Sequence, residues 1–259
     1  MTRLELQNTT MESQKVTKSD NGPHGKWYGD ACGAAFALEL IGERWSLLIM
    51  RELMLGPRRF SDIRADLPGI SAKVLSERLA GLEAYGVLVR RTVPEPTPAR
   101  LYELTKWGYA AEPILLELGR WAAASPLHDP RLPLSPVSFM LSLRTMLDRA
   151  AARDLSAVVV FAIGTVRFTA CLKDGEIAIE RGETVPADLR FTAPSGPVMA
   201  AVFYGRAAPS DVGVVIEGDP ALARRVIAFF DLPRIFEMEP RPARAAHGPT
   251  RSDDADVSR

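Results

Sequence analysis

Lys73, Ser76 and Glu77 lie within five positions of one another in a segment with helical spacing. Lysine donates to guanine, serine meets either base class, and glutamate accepts from cytosine, so this trio suits base edges in a DNA groove. Arg58 and Arg59 stand upstream on a turn, where a cation pair can hold phosphates and position a protein without reading sequence. The same pair would also serve as solvated surface charge, which stabilises little. Arg78 borders the apolar side of the helix and is the weaker contact, open equally to a structural ion pair. Ser71 and Arg100 complete the candidate DNA-facing set.

Other chemistries lack their parts. His24, His128 and His247 are isolated from each other and from the two cysteines, so no metal-ligand spacing exists and no metal is expected. No Ser-His-acid assembly and no phosphate-cradling glycine loop after a strand can be built, so no cofactor and no enzymatic activity are expected. Cys32 precedes a helix, where the dipole and free N–H groups can lower a thiol pKa. Its alternative is a small buried apolar residue.

The elements that position the trio read clearly. Ser61 is a candidate N-cap for a short helix over 62–66, which Leu67-Pro68-Gly69 breaks. Ser71 caps a second helix ending at Gly86. On it Val74, Leu75, Arg78, Leu79 and Leu82 share one side, while Lys73, Ser76, Glu77 and Ala80 lie opposite. VLVRR and RLYEL follow as strands around the proline-rich TVPEPTPA. Helix, turn, helix and a two-stranded ribbon make a winged helix. Upstream, a helix from Asp30 or Ala31 ends at Gly42, and another over 44–54 places Trp45, Leu48, Ile49 and Leu53 at core spacing. Downstream, Thr105 caps a helix expected to run to Ala124, kinked at Pro113.

These residues carry a resemblance. From Cys32 to Ala124 the chain is similar to the HxlR branch of the MarR-like winged-helix regulators, through ELIGERWSLLIMREL (39–53), GPRRFSDIRADLPGISAKVLSERLAGLEAYGVL (56–88) and RLYELTKWG (100–108). The family's Cys-Pro opening appears here as Cys32-Gly33. The resemblance implies a dimeric transcriptional regulator binding double-stranded operator DNA, with the Ser71 helix as recognition helix and 92–99 as wing tip. It implies that the first and last helices pair between protomers, and that Cys32 is a possible redox sensor.

The stretch SPLHDPRLPLSP (125–136) holds four prolines and reads as a linker. Beyond it come a helix over 139–152, strands over 157–163 and 166–172, an Asp174-Gly175 turn into EIAIERG, a strand in ADLRFTAP, a helix over 196–204, a strand over 212–217 and a helix over 221–230. ADLRFTAPSGPVMAAVFYG (187–205) and VVIEGDPALARRVIAFF (214–230) resemble the sterol-carrier-protein-like fold. That resemblance implies an apolar cavity for a hydrophobic small-molecule effector, with Phe139, Met146, Phe161, Phe168, Met199, Phe203 and Phe230 as candidate lining. The same residues at these spacings also describe ordinary core.

The expected fold is α+β: an arm (1–26), a winged helix-turn-helix (27–125), a linker (126–136), a sterol-carrier-like domain with a mostly antiparallel sheet (137–233) and a tail (234–259), arm and tail both disordered. Net charge is zero, and residues 27–125 hold 12 Lys/Arg against 12 Asp/Glu, so DNA binding must rest on local clusters. No apolar run is long enough for a membrane span and no signal peptide is apparent, so a cytoplasmic, membrane-free homodimer is expected. The competing expectation is a hydrophobic-ligand carrier whose winged helix serves dimerisation or protein interaction.

Overall fold

A computed structural model of the protein describes residues 28–93, 99–183 and 186–237. The arm, the tail past residue 237 and most of the wing tip fall outside the described residues. Helix α1 (Gly33–Ile41) begins at the N-cap Cys32, later than Asp30 or Ala31, and stops at Gly42. Helix α2 (Ser46–Leu53) is entered through Trp45 at φ 83°, a left-handed conformation that crowds the Cβ of a bulky residue. Its buried face holds Ser46, Ile49, Met50, Glu52 and Leu53. Leu48, expected in the core, is 37% exposed.

Strand β1 (Arg58–Arg59) leads directly into α3 (Phe60–Asp66). Arg59, not Ser61, is the N-cap of that helix, and the Ser61 hydroxyl bonds the Asp62 carboxylate at 3.1 Å. The Leu67-Pro68-Gly69 turn delivers the chain to α4 (Ala72–Ala84), where Ser71 Oγ accepts from the Val74 N–H at 3.2 Å. Leu75, Leu79 and Leu82 of α4 are fully buried, each contributing about 1.5–3 kcal/mol of apolar burial. Gly86, at φ 71°, takes the left-handed position that ends the helix. Strands β2 (Leu88–Val93) and β3 (Ala99–Leu104) form the ribbon, and β1 joins its other edge in the order β1-β3-β2, all antiparallel.

The helix expected from Thr105 to Ala124 is two helices, α5 (Lys106–Tyr109) and α6 (Glu112–Ala123). Thr105 caps only the first, accepting from the Gly108 N–H at 3.1 Å. Pro113 does not kink a continuous helix. It sits in the first turn of α6, where its missing N–H has no partner to lose.

In the second unit α7 (Pro136–Met146) is capped by Ser135. It ends earlier than expected because Leu147 turns extended and bridges Phe230, while the Asp148 N–H donates to the Phe229 carbonyl at 2.7 Å. Then come β4 (Ala157–Ile163), β5 (Val166–Lys173), β6 (Glu176–Arg181) and β7 (Leu189–Ala193). Asp174 and Gly175, at φ 53° and 77°, make the β5–β6 hairpin turn with the handedness that strand twist prefers. Helices α8 (Gly196–Phe203) and α9 (Pro209–Val212), strand β8 (Val215–Gly218) and helix α10 (Pro220–Ile227) complete the unit. The five-stranded sheet has the order β6-β5-β4-β7-β8, with β4–β7 its one parallel pairing. The architecture is a winged helix followed by a sheet-containing α+β unit.

The two units share a seam with buried charge in it. Glu52, fully buried, accepts from Arg51 Nε and Nη2 at 3.0 and 2.8 Å, from Arg58 Nη1 at 3.1 Å and from the Ser135 hydroxyl at 2.7 Å. Arg58 also meets Asp66 at 2.6 Å. Arg144 of α7 reaches Glu112 of α6 at 2.6 Å, and Arg181 Nε reaches the Leu55 carbonyl at 3.4 Å. Past α10 the chain returns to the first unit, where the Phe236 N–H donates to the Ala124 carbonyl at 2.8 Å. Among the described residues no helix is long and apolar enough to cross a membrane.

Candidate nucleic-acid interface

Lys73, Ser76 and Glu77 all lie on the exposed face of α4, opposite its buried leucines. Lys73 Nζ stands 3.9 Å from Glu77 Oε1, one turn away, with the two side chains 85% and 50% exposed. A contact so open to solvent holds neither group firmly, so both can turn to a base edge. Ser71 is exposed but its hydroxyl is occupied as the helix cap. Arg59 is exposed at the head of α3, and Arg100 is exposed on β3, opposite Thr92 in the ribbon.

Two of the expected contacts are corrected. Arg58 is only 8% exposed and pairs with the fully buried Glu52 and the half-buried Asp66, so it is a buried ion-pair member and not a phosphate ligand. Arg78 donates from Nε to the Arg44 carbonyl at 3.2 Å and from Nη2 to Glu43 at 2.9 Å, tying α4 to the segment before α2. Its guanidinium is spent on structure.

The seven residues expected around an apolar cavity all lie in the interior of the second unit. Phe139, Phe161, Phe168, Met199, Phe203 and Phe230 belong to the continuous core, and Met146 is buried as well. The rings pack directly on one another: Phe161 stacks on Phe191 at 5.5 Å, Phe203 meets Phe139 edge-on at 5.5 Å, and Phe230 lies 5.7 Å from Phe203. Ring pairs at such distances bring α7, α8 and the sheet into direct aromatic contact.

Cationic residues of the wing stem were missed in the sequence. Arg90 lies over the Tyr102 ring at 5.4 Å and pairs with Glu83 at 2.8 Å; Arg91 pairs with Glu103. The signal was present, since β2 carries two consecutive arginines. Glu52 was missed too. It stands three residues after Ile49, so helical spacing alone placed a carboxylate on the buried face. Burial pushes its pKa up, against the pull of the Arg51 charge and the Ser135 hydrogen bond. Burial also lowers the pKa of Arg181, helped by the Arg58 charge, and Arg181 Nη2 is buried without a hydrogen-bond partner among the described residues. Cys32 is exposed, and the Ala35 and then Ala34 N–H groups at the start of α1 draw its thiol pKa down. No group of His, Cys, Asp and Glu among the described residues could hold a metal ion.

Residues 40–128 match the model of the HxlR-like helix-turn-helix family. The chain is 48% identical over 87 residues to the uncharacterized HTH-type transcriptional regulator YvaP of Bacillus subtilis, a match covering 33% of this chain and 80% of that protein. It is 41% identical over 86 residues to the HTH-type transcriptional regulator YodB of the same organism, covering 33% of this chain and 77% of the relative. The solved reduced form of YodB from B. subtilis is 36% identical, with a TM-score of 0.35, over 39% of this chain and 100% of that one.

Proposed function

The chain belongs, through its N-terminal unit, to the HxlR-like helix-turn-helix transcriptional regulators, and from that premise we propose that it is a dimeric, ligand-responsive regulator binding double-stranded operator DNA. The observation that carries the reading is the face of α4. Its solvent side offers Lys73, Ser76 and Glu77 and no large apolar residue, between exposed Arg59 and the arginines of the wing stem. Lys73, Ser76 and Glu77 would read base edges, and Arg59 and Arg100 would hold phosphates.

Dimerisation has its own support. Phe36 of α1 and Ile114, Leu118 and Trp121 of α6 are 43–75% exposed, more apolar surface than a monomer of this size gains by showing to water. Two copies paired there would present two recognition helices to half-sites about 34–36 Å apart. Cys32, with its lowered thiol pKa, is the proposed redox-responsive residue; a thiol that resists iodoacetamide in the native protein would end that assignment. The second unit's order of helix, meander, helix, strand and helix supports a sterol-carrier-like module that senses a hydrophobic small molecule. The protein is read as a cytoplasmic binding protein without catalysis.

Operator titration at several salt concentrations tests the whole. Counterion release requires log K to fall linearly with log salt for a DNA-binding dimer. The balanced charge of residues 27–125 favours one other reading, a hydrophobic-ligand carrier whose winged helix serves dimerisation or protein interaction. A flat salt response would favour that carrier.

A further inference from the structure

Between the two units lies a cleft of about 590 Å³, within the range of small-molecule sites. One wall is Trp45, Leu48 and the Leu67-Pro68 turn of the helix-turn-helix; the facing wall is the turn between β4 and β5 with Pro194. Across its base run residues 133–136, from the linker into the first turn of α7. The lining is mostly apolar, and only two of its side chains are charged, Arg51 and Asp66. Asp66 is already neutralised by Arg58. Arg51 spends Nε and Nη2 on Glu52, which leaves Nη1 as the donor it can bring to an occupant.

Two features point to an anionic head and a third to an apolar body. The first turn of α8 reaches the cleft through Gly196, whereas the start of α7 is already capped by Ser135. Helix starts attract negative charge, and α8 has no side-chain cap for the Gly196 and Val198 amides, Pro197 between them having no N–H. The cation of Arg51 stands in the same lining. Trp45 gives the cleft its largest apolar wall.

We propose that this interdomain cleft is the effector site and takes an amphipathic organic acid, its apolar chain on Trp45 and Leu48 and its carboxylate at Arg51 and the start of α8. The regulatory half of this assignment rests on the regulator reading above; the binding half does not. The cleft wall includes residues 65–68, the end of α3 and the turn before the recognition helix. Arg51 also shares Glu52 with Arg58, which sits in β1 opposite Tyr102 of the wing. An acid drawn to Arg51 therefore acts on both the turn and the wing.

The full-length protein is titrated by calorimetry with decanoate, decan-1-ol and decyltrimethylammonium, which share a chain and differ in head charge. Decanoate is expected to bind one per chain, at least about tenfold tighter than the alcohol or the cation. Thr165→Trp, at an exposed position in the cleft lining, is expected to weaken decanoate by about tenfold or more, and Arg51→Gln to remove its advantage over decanol. Thermal melts check each variant's fold; Thr165→Trp keeps the test decisive if Arg51→Gln does not fold. Absent or head-blind binding, or a Thr165→Trp protein that binds decanoate as the wild type does, overturns the cleft as the site. Operator affinity with and without decanoate separates the two halves. Bound decanoate with unchanged operator affinity overturns the effector role alone. No operator binding under either condition overturns the regulator reading, while the calorimetry still decides the cleft.

Discussion

Arg58 and Arg59 are neighbours with opposite fates, because alternate residues of a strand face opposite ways. Arg58→Ala strips the buried Glu52 and the half-buried Asp66 of a partner, so it should cost about 3 kcal/mol or more of stability. Arg59→Ala, at an exposed position, should change stability by no more than about 0.5 kcal/mol yet weaken binding to all DNA sequences and lower the salt slope by about one. Urea melts and salt titrations of both variants check this, and a stable Arg58→Ala protein would refute the buried role. Glu52 sets a pH dependence. Its pKa is raised in the fold, so between the ordinary carboxylate value and the raised one the folded state binds more protons than the unfolded state. Its contribution is therefore complete below the unfolded pKa, about 4.3, and is lost as pH rises through the folded one. Glu52→Gln cannot titrate and should show a stability that falls less with rising pH above that value. Parallel pH profiles for the two proteins would contradict the assignment. The role of Arg58 was not legible in the sequence, since Glu52 and Asp66 lie on other elements and only the fold brings them to it.

At the scale of elements, much of what was readable rests on local chemistry, although the Ser61 cap and the Pro113 kink, both local, were misplaced. The Ser71 cap, the leucine stripe of α4 and the Asp174-Gly175 hairpin all depend on residues within a few positions. Other failures depended on distant partners. Leu147 leaves the helical conformation to bridge Phe230, so no pattern within α7 announces its end. Whether the phenylalanines of the second unit enclose a hollow or fill it is decided by how three elements meet, which apolar spacing does not encode. The excess apolar surface of α1 and α6 was legible, because it follows from helical period alone. Trp121, 75% exposed on α6, is the natural anchor of a protomer contact. Trp121→Lys should cost dimerisation at least about 2 kcal/mol, roughly a thirtyfold rise in dissociation constant. Sedimentation equilibrium over a range of concentrations measures it, and an unchanged constant would move the interface elsewhere.

For the whole molecule, the seam decides whether the two units can speak to one another. Its buried ion pairs gain little net stability, since desolvation offsets most of their attraction, but they define one docking geometry. If ligand and operator both bias that geometry, a coupling of about 1–3 kcal/mol is expected, and it must be reciprocal. Saturating operator DNA should change decanoate affinity by the factor by which decanoate changes operator affinity. Unequal factors at equilibrium would mean that the two ligands do not share one conformational equilibrium.

The seam also gives the protein a history during its own synthesis. The winged helix leaves the ribosome first and can fold on its own contacts, but Glu52 acquires its Ser135 partner only when the start of α7 docks. The sheet behind α7 needs β7 before β4 has its parallel neighbour, and Phe230 before Leu147 can bridge. Roughly a hundred residues must still be added, which at ~5–20 residues per second takes on the order of 5–20 s. Through that interval the nascent chain carries an exposed α4 face beside a Glu52 carboxylate still in water. On the regulator reading, such a chain shows its recognition face before the cleft has its second wall, and completion of the C-terminal half is the event that makes it answerable to an effector.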